Sequence, residues 1–353
     1  MVSATRFLDS VIHVFINITT HNNTMAKRLR ARNTQVDTNP RFRRKPPSGF
    51  IKDNIKIIEV KQPYSQVMAE GLALYSEAFP DKDEREPQGM IRERVRDYQS
   101  GDSCHENTQF HVLTAVDTRA DRVVGYTQWS TLTYEANVGY FEYICVDPDY
   151  RRMGIFTELE AARLTVSDND LRTGKKGRVR GSIREAEFIG QGKDESAREF
   201  TKARLEIHQR NGERAVLLER DDGSLAPFWM QPPLTASSDP IMLHLLFQEA
   251  EPVKRDPENV GEMPKETLRD IISGMMNYFS DGYFDSLMIE AKKVAELTEN
   301  GIKESIDGVT LATKLMMRKI RDAKRVLLVP PTETETIDSY AQRCANLAQQ
   351  IKR

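Results

Sequence analysis

The chain has little cysteine and spaces it widely. Cys104, Cys145 and Cys344 are the only three in 353 residues, and no C-x-x-C occurs. That excludes a disulfide-stapled scaffold and a zinc ribbon, and fits a reducing, cytoplasmic setting. Long apolar runs are also missing: no stretch approaches the roughly eighteen residues of a bilayer span. The nearest candidate, residues 11–18, is broken by His13 and Asn17 and makes a poor secretory core. No G-K-S/T stands at phosphate-loop spacing, and Gly190-Gln191-Gly192 lacks the third glycine of a dinucleotide loop, Glu195 filling that place. Cys104-His105 with His111 has no second ligand pair, so no metal is expected.

What is present is the composition of a globular protein, 39% hydrophobic and 29% charged. The formal net charge of -2 hides an asymmetry, because residues 1–54 carry ten Lys/Arg against three Asp/Glu and the remainder 41 against 50. Residues 1–50 combine Asn/Thr tracts, basic runs and Pro46-Pro47-Ser48-Gly49 with few apolar positions, which predicts a disordered basic tail. It lacks aromatic interleaving, so no specific nucleic-acid partner is expected, and no membrane partner either.

From residue 51 the periodicity alternates in a readable order. A strand is predicted at 55–60, a helix ending at Pro80, a charged helix at 90–98, and strands at 110–116, 123–131 and 138–146. A helix then follows Gly154, with a strand at 182–188, a helix at 197–210, and strands at 215–219 and 241–247. Asp168-Asn169-Asp170 and Gly174-Lys175-Lys176-Gly177 read as loop. Residues 251–353 show almost no strand signal, and amphipathic helices are predicted at 266–283, 286–297, 311–328 and 337–351. The expected organisation is a tail over 1–50, an α/β domain over 51–250 and a helical C-terminal region over 251–353.

One stretch carries chemistry. An apolar strand run ending Ile144-Cys145-Val146 meets Pro148, which cannot donate to a ladder, then passes Arg151-Arg152-Met153 to Gly154 and the apolar Ile155-Phe156. Glycine there permits positive φ, and the helix that follows points free amides and its positive dipole end at the turn. A diphosphate fits such a place.

Written as V-x-P-x-Y-R-x-x-G-I, this stretch resembles the signature of the GNAT superfamily of acyl-CoA-dependent N-acyltransferases, R/Q-x-x-G-x-G/A. Arg151 and Gly154 occupy the first and fourth positions; Phe156 stands where that family usually has glycine or alanine. The predicted element order also resembles the GNAT series across about residues 52–250. The resemblance implies a central mixed sheet flanked by helices, acetyl-CoA as cosubstrate and an amine acceptor. It places coenzyme A on Ile144, Cys145 and Val146 through their backbone, and on Arg151, Arg152, Met153, Gly154, Ile155 and Phe156.

For the amine proton, Glu142 lies on the motif strand, where period-two alternation puts it on the face of Tyr140 and Ile144; Glu185 and Glu187 share a face of the next strand. For the leaving thiolate, His208 stands where the family's late helix commonly carries tyrosine, four residues before Gly212. Cys145 reads as a small core residue rather than a nucleophile. The expected activity is N-acetyl transfer to a primary amine by direct attack in a ternary complex. A non-catalytic acyl-CoA sensor and a helical adaptor are the rival readings. The C-terminal helices offer a surface for a homodimer.

Overall fold

A computed structural model describes residues 34–35, 54–80, 85–100, 107–134, 136–191, 195–231, 241–250, 260–279, 313–334 and 339. The elements in chain order are β1 (Thr34–Gln35), β2 (Ile55–Glu59), α1 (Gln66–Ala78), α2 (Gln88–Ser100), β3 (Thr108–Asp117), β4 (Arg122–Leu132) and β5 (Val138–Val146). They continue with α3 (Ile155–Thr173), β6 (Gly181–Ala186), α4 (Glu195–Arg210), β7 (Arg214–Glu219), β8 (Leu225–Ala226), β9 (Met230–Gln231), β10 (Ile241–Met242) and β11 (His244–Glu249). The C-terminal region adds β12 (Gly261–Met263), α5 (Lys265–Asn277) and β13 (Arg325–Val329), with a helical stretch over 313–322.

The strands lie in the order β1-β2-β3-β4-β5-β6-β11-β7-β13-β12, with β8 on β7 and β9 and β10 forming a separate pair. Neighbours pair antiparallel except β5 and β6, which run parallel. A parallel pair needs a crossover, and α3 supplies it. The parallel register covers only Val138↔Gly181, Gly139↔Ser182 and Tyr140↔Ile183. Beyond Tyr140, β5 keeps β4 on one edge and has no β6 partner on the other, while β6 goes on pairing with β11. The sheet is mixed and opens in its middle.

Alternation along the strands divides the core by face. Tyr126, Phe110, Val112 and Cys145 pack with α1 and α2, whereas Leu113, Val124, Trp129 and Phe141 pack with Ile155, Leu159 and Ala162 of α3. Tyr140, Ile183, Val216, Leu218, Val326 and Leu328 pack with Leu268, Ile271, Ile272 and Met275 of α5. Ser65 caps α1 by accepting from the Met68 amide at 3.2 Å. At Gly274 a Cβ would stand 2.9 Å from Ala136 Cβ, so only glycine lets α5 come this close to the β4–β5 turn.

Several expectations shift. Of the helix predicted over 311–328, the described residues are helix over 313–322 and then become β13, which pairs along β7 from Arg325↔Glu219 to Val329↔Ala215. The apolar run Val326–Val329 is short enough to serve either state, and an open strand edge on β7 decided it. Asp168-Asn169-Asp170 is helix rather than loop, since α3 runs to Thr173. Tertiary partners override weak propensity there: Asp168 accepts from the Val179 amide at 3.2 Å and Asp170 holds His111 at 2.8 Å. Within 1–50, Thr34 and Gln35 pair with Glu59 and Ile58. The rest of that tail, the helix predicted at 286–297 and, apart from Ser339, the one predicted at 337–351 lie outside the described residues.

Candidate active site

The turn after β5 is built to leave amides pointing outward. Pro148–Tyr150 forms a single 3-10 turn, capped by Asp147, whose side chain accepts from the Asp149 amide at 2.9 Å. Asp147 also pairs with Arg122 at 3.0 Å, and the Tyr150 hydroxyl donates to Asp117 at 2.8 Å. Both contacts pin the turn to the β3–β4 hairpin. Arg152 (φ 65°) and Gly154 (φ 78°) then take left-handed conformations, and α3 starts at Ile155 with no side-chain cap on Gly154. Left-handed residues around a helix start make a concave nest of N–H groups, and the helix dipole adds positive potential. Arg151 and Arg152 are exposed beside it, and Phe156 is half-buried in the first helical turn. Glu158 is the acidic residue of that turn.

Upstream, Ile144, Cys145 and Val146 pair with Thr127, Tyr126 and Gly125 of β4, and their other edge is the one β6 has left. The Cys145 thiol is buried, and burial pushes its pKa well up. That is a packing thiol, not a nucleophile.

At the apex of the opening, β5 carries a bulge. Gln128 pairs with Tyr143 and Trp129 with Phe141, so Glu142 is the extra residue. The bulge breaks the alternation: Glu142 keeps the face of Tyr140, but Ile144 packs with the α3 cluster on the opposite face. The expectation that Glu142 and Ile144 share a face is therefore corrected.

Glu142 sits in a buried polar cluster. Its Oε1 accepts from Ser130 Oγ (2.9 Å), Tyr278 OH (2.8 Å) and Arg94 Nη2 (3.3 Å), and its Oε2 from Gln128 Nε2 (3.1 Å). Arg94 also donates to Glu86 at 2.8 and 3.0 Å and lies 3.7 Å over the Phe110 ring. One guanidinium thus serves two carboxylates. Burial, with Glu142 repulsion added, shifts Glu86 upward against the pull of Arg94.

Glu185 faces the same apex from β6, two residues beyond the last parallel pair. Among the described residues its hydrogen-bond partners are neutral donors: Tyr140 OH (2.8 Å), Trp229 Nε1 (2.5 Å) and Gln231 Nε2 (2.6 Å). Burial, reinforced by the Glu142 charge, outweighs those three hydrogen bonds and pushes it up to about 7. Glu187, expected on the same face, lies past the end of β6 and pairs with Arg204 of α4 at 2.7 Å; the strand's end at Ala186 releases it from the alternation.

His208 is buried near the end of α4. Gly212 (φ 84°) ends that helix as expected, with the Glu213 amide closing back on the His208 carbonyl at 3.0 Å. His208 Nδ1 stands 2.9 Å from Glu213 Oε2 without the alignment of a hydrogen bond. Glu213 also meets Arg184 Nε at 2.9 Å, and Arg184 donates to Glu160 of α3 at 2.8 Å. His208 therefore belongs to an ionic chain between α3, β6 and α4, while Glu142 and Glu185 meet among α2, β4, β5, β6 and α5.

The sequence reading named Glu142, Glu185 and the turn. It missed Glu86, Arg94, Tyr278, Trp229 and Gln231, whose partners lie far along the chain; Arg94 and Tyr278 are 184 positions apart.

Residues 70–167 match the model of the Acetyltransferase (GNAT) family, from α1 through most of α3. No curated protein matches the chain. A GNAT-family acetyltransferase from Staphylococcus aureus Mu50 aligns at 13% identity over 56% of this chain and 99% of its own, with a TM-score of 0.34. The ribosomal-protein-S5-alanine acetyltransferase of Vibrio fischeri aligns at 12% identity over 57% and 97%, with a TM-score of 0.33.

Proposed function

We propose that this chain, which carries a GNAT acetyltransferase-family domain over residues 70–167, transfers an acetyl group from acetyl-CoA to a primary amine by direct attack in a ternary complex. The observation that carries the reading is the alignment of two features on one strand. β5 loses its β6 partner after Tyr140, and the same strand runs into a nest of amides at the start of α3.

In this reading the diphosphate sits on the Met153, Gly154, Ile155 and Phe156 amides with Arg151 and Arg152 beside it. The free edge of Ile144, Cys145 and Val146 holds the pantetheine arm and donates to the thioester oxygen as negative charge develops there. The amine nitrogen attacks the thioester carbonyl, the C–S bond breaks, and the amine proton passes to the Glu142–Glu185 pair, directly or through one water. Burial among neutral donors pushes Glu185 up to about 7, the range in which a general base works best. His208, which stands beside Glu213, would supply a proton to the leaving thiolate.

Phe156 supports a second reading, an acyl-CoA sensor without turnover, because a bulky side chain occupies the first turn of α3. Calorimetric titration with acetyl-CoA, followed by thiol release over a panel of amines, separates the two. Binding with release on at least one amine is the expected result; binding without release leaves the sensor, and no binding removes both. Replacing His208→Phe is expected to slow release at unchanged acetyl-CoA affinity, and unchanged turnover would take His208 out of the mechanism.

A further inference from the structure

The side chains that hydrogen-bond Glu142 come from three elements, α2, β4 and the C-terminal end of α5, and the last lies outside the family-matched stretch. α5 buries Leu268, Ile271, Ile272, Met275 and Met276 against the sheet, and Gly274 lets it close on Ala136. Its end delivers two aromatic rings to the apex. Tyr278 meets Tyr140 edge-on at 5.4 Å, and Phe279 packs on Tyr140 at 5.9 Å and Trp229 at 6.5 Å. The Tyr278 hydroxyl gives its single proton to Glu142 Oε1 at 2.8 Å and accepts from Arg94 Nη2 at 2.6 Å.

A phenol anchoring a helix needs neither contact to be with a charged group. Here both are, and they run in one sense, from guanidinium through hydroxyl to carboxylate. Such a chain polarises the phenol toward the carboxylate and holds Glu142 in one orientation.

We propose that Tyr278 is a positioning residue of the acyl-transfer site, fixing the orientation of Glu142, so that the C-terminal region completes a site whose other parts lie in the preceding domain. This rests on the acyltransferase reading above. The charged and titratable groups around Glu142 are Arg94 from α2, Glu86 ahead of it, Tyr126 through Gln128 on β4, Tyr140 on its own strand and Glu185 on β6. Loss of the phenol leaves Glu142 Oε1 with Ser130 and the longer Arg94 contact.

The test is Tyr278→Phe in the full chain, which keeps the ring and removes only the hydroxyl. Acetyl-CoA affinity by calorimetry is expected to stay within about twofold. Loss of a hydrogen bond that orients Glu142 should lower kcat at pH 7 by about tenfold, with the KM for the amine within about twofold. A merely structural hydroxyl would lower stability in urea and leave kcat per folded molecule unchanged. Tyr278→His keeps a ring and a donor and is expected to fall between the two; should Tyr278→Phe not fold, it carries the comparison alone. An active wild type with an unchanged kcat in the folded variant overturns the role of Tyr278. A wild type that binds acetyl-CoA and releases no thiol on any amine overturns the acyltransferase reading, and this proposal falls with it.

Discussion

Two ionisable sites, each enclosed within the sheet, are built on opposite plans. His111 lies between Glu59 (2.9 Å) and Asp170 (2.8 Å), stacked on Trp129 with ring centres 4.9 Å apart. Burial alone would pull its pKa down, but the Asp170 and Glu59 carboxylates more than offset that and push it up to about 9. Around Glu185 the protein supplies three neutral donors and a neighbouring carboxylate instead. The first arrangement fixes a charge; the second leaves a proton free to move near neutral pH. Burial marks neither as functional by itself. The difference lies in whether the surroundings complete the charge.

The sharpest way to break this contrast is to remove the carboxylates of the open plan. Glu142→Gln and Glu185→Gln are each expected to lower kcat by at least about a hundredfold while acetyl-CoA affinity holds, measured by thiol release and calorimetry. Stability should move the other way for Glu185. Its folded pKa is raised, so ionising it costs stability above its ordinary range, and Glu185→Gln is expected to gain more against urea at pH 8 than at pH 5. A loss of stability at pH 8 would count against the reading of Glu185 as a group without a partner charge.

The closed plan predicts the reverse. His111→Gln leaves two buried carboxylates facing a neutral amide and is expected to cost about 3 kcal/mol in urea unfolding, with turnover per folded molecule unchanged. The histidine's share of stability is complete below about 6.5 and lost as pH rises through about 9. Burial alone would raise Glu59, but His111 and Lys61 lower it to about 2; its share is present above about 4.5 and lost as pH falls through about 2. The gap between wild type and variant should therefore be widest between about pH 4.5 and 6.5. These two shares describe one interaction and are not additive.

Smaller effects fall on the nest. Replacing both Arg151→Ala and Arg152→Ala should raise the KM for acetyl-CoA by about tenfold at low salt and by less at high salt, since both side chains are exposed. Phe156→Ala is expected to change that KM by no more than about threefold, because the amides it flanks are already set by Arg152 and Gly154.

Most of the sheet's framework was legible in the sequence. β5 and the start of α3 were readable to the residue, because proline, glycine and an apolar run mark them without ambiguity. β13 was not, since Val326–Val329 suits helix or strand until β7 offers an edge. The face of Ile144 was misread because one inserted residue at Glu142 inverts everything after it, and a bulge leaves no mark in hydrophobic alternation. Of the candidate site, Glu142 and Glu185 stood out as acidic residues in apolar strands. Glu86 and Arg94 did not, lying in a segment where charge is common, and Tyr278 was one aromatic on a helix predicted to be an appendage. What joins them is tertiary closure across a long separation, which local patterning does not encode.

The three-residue ladder at Val138–Tyr140 makes the middle of this broad sheet a crease, with the β1–β5 leaf on one side and the β6–β12 leaf on the other. A long, jointed molecule lodged in that fork would act as a splint between the leaves. Amides flanking the fork should then exchange with deuterium more slowly once it is filled, even at positions the guest never touches.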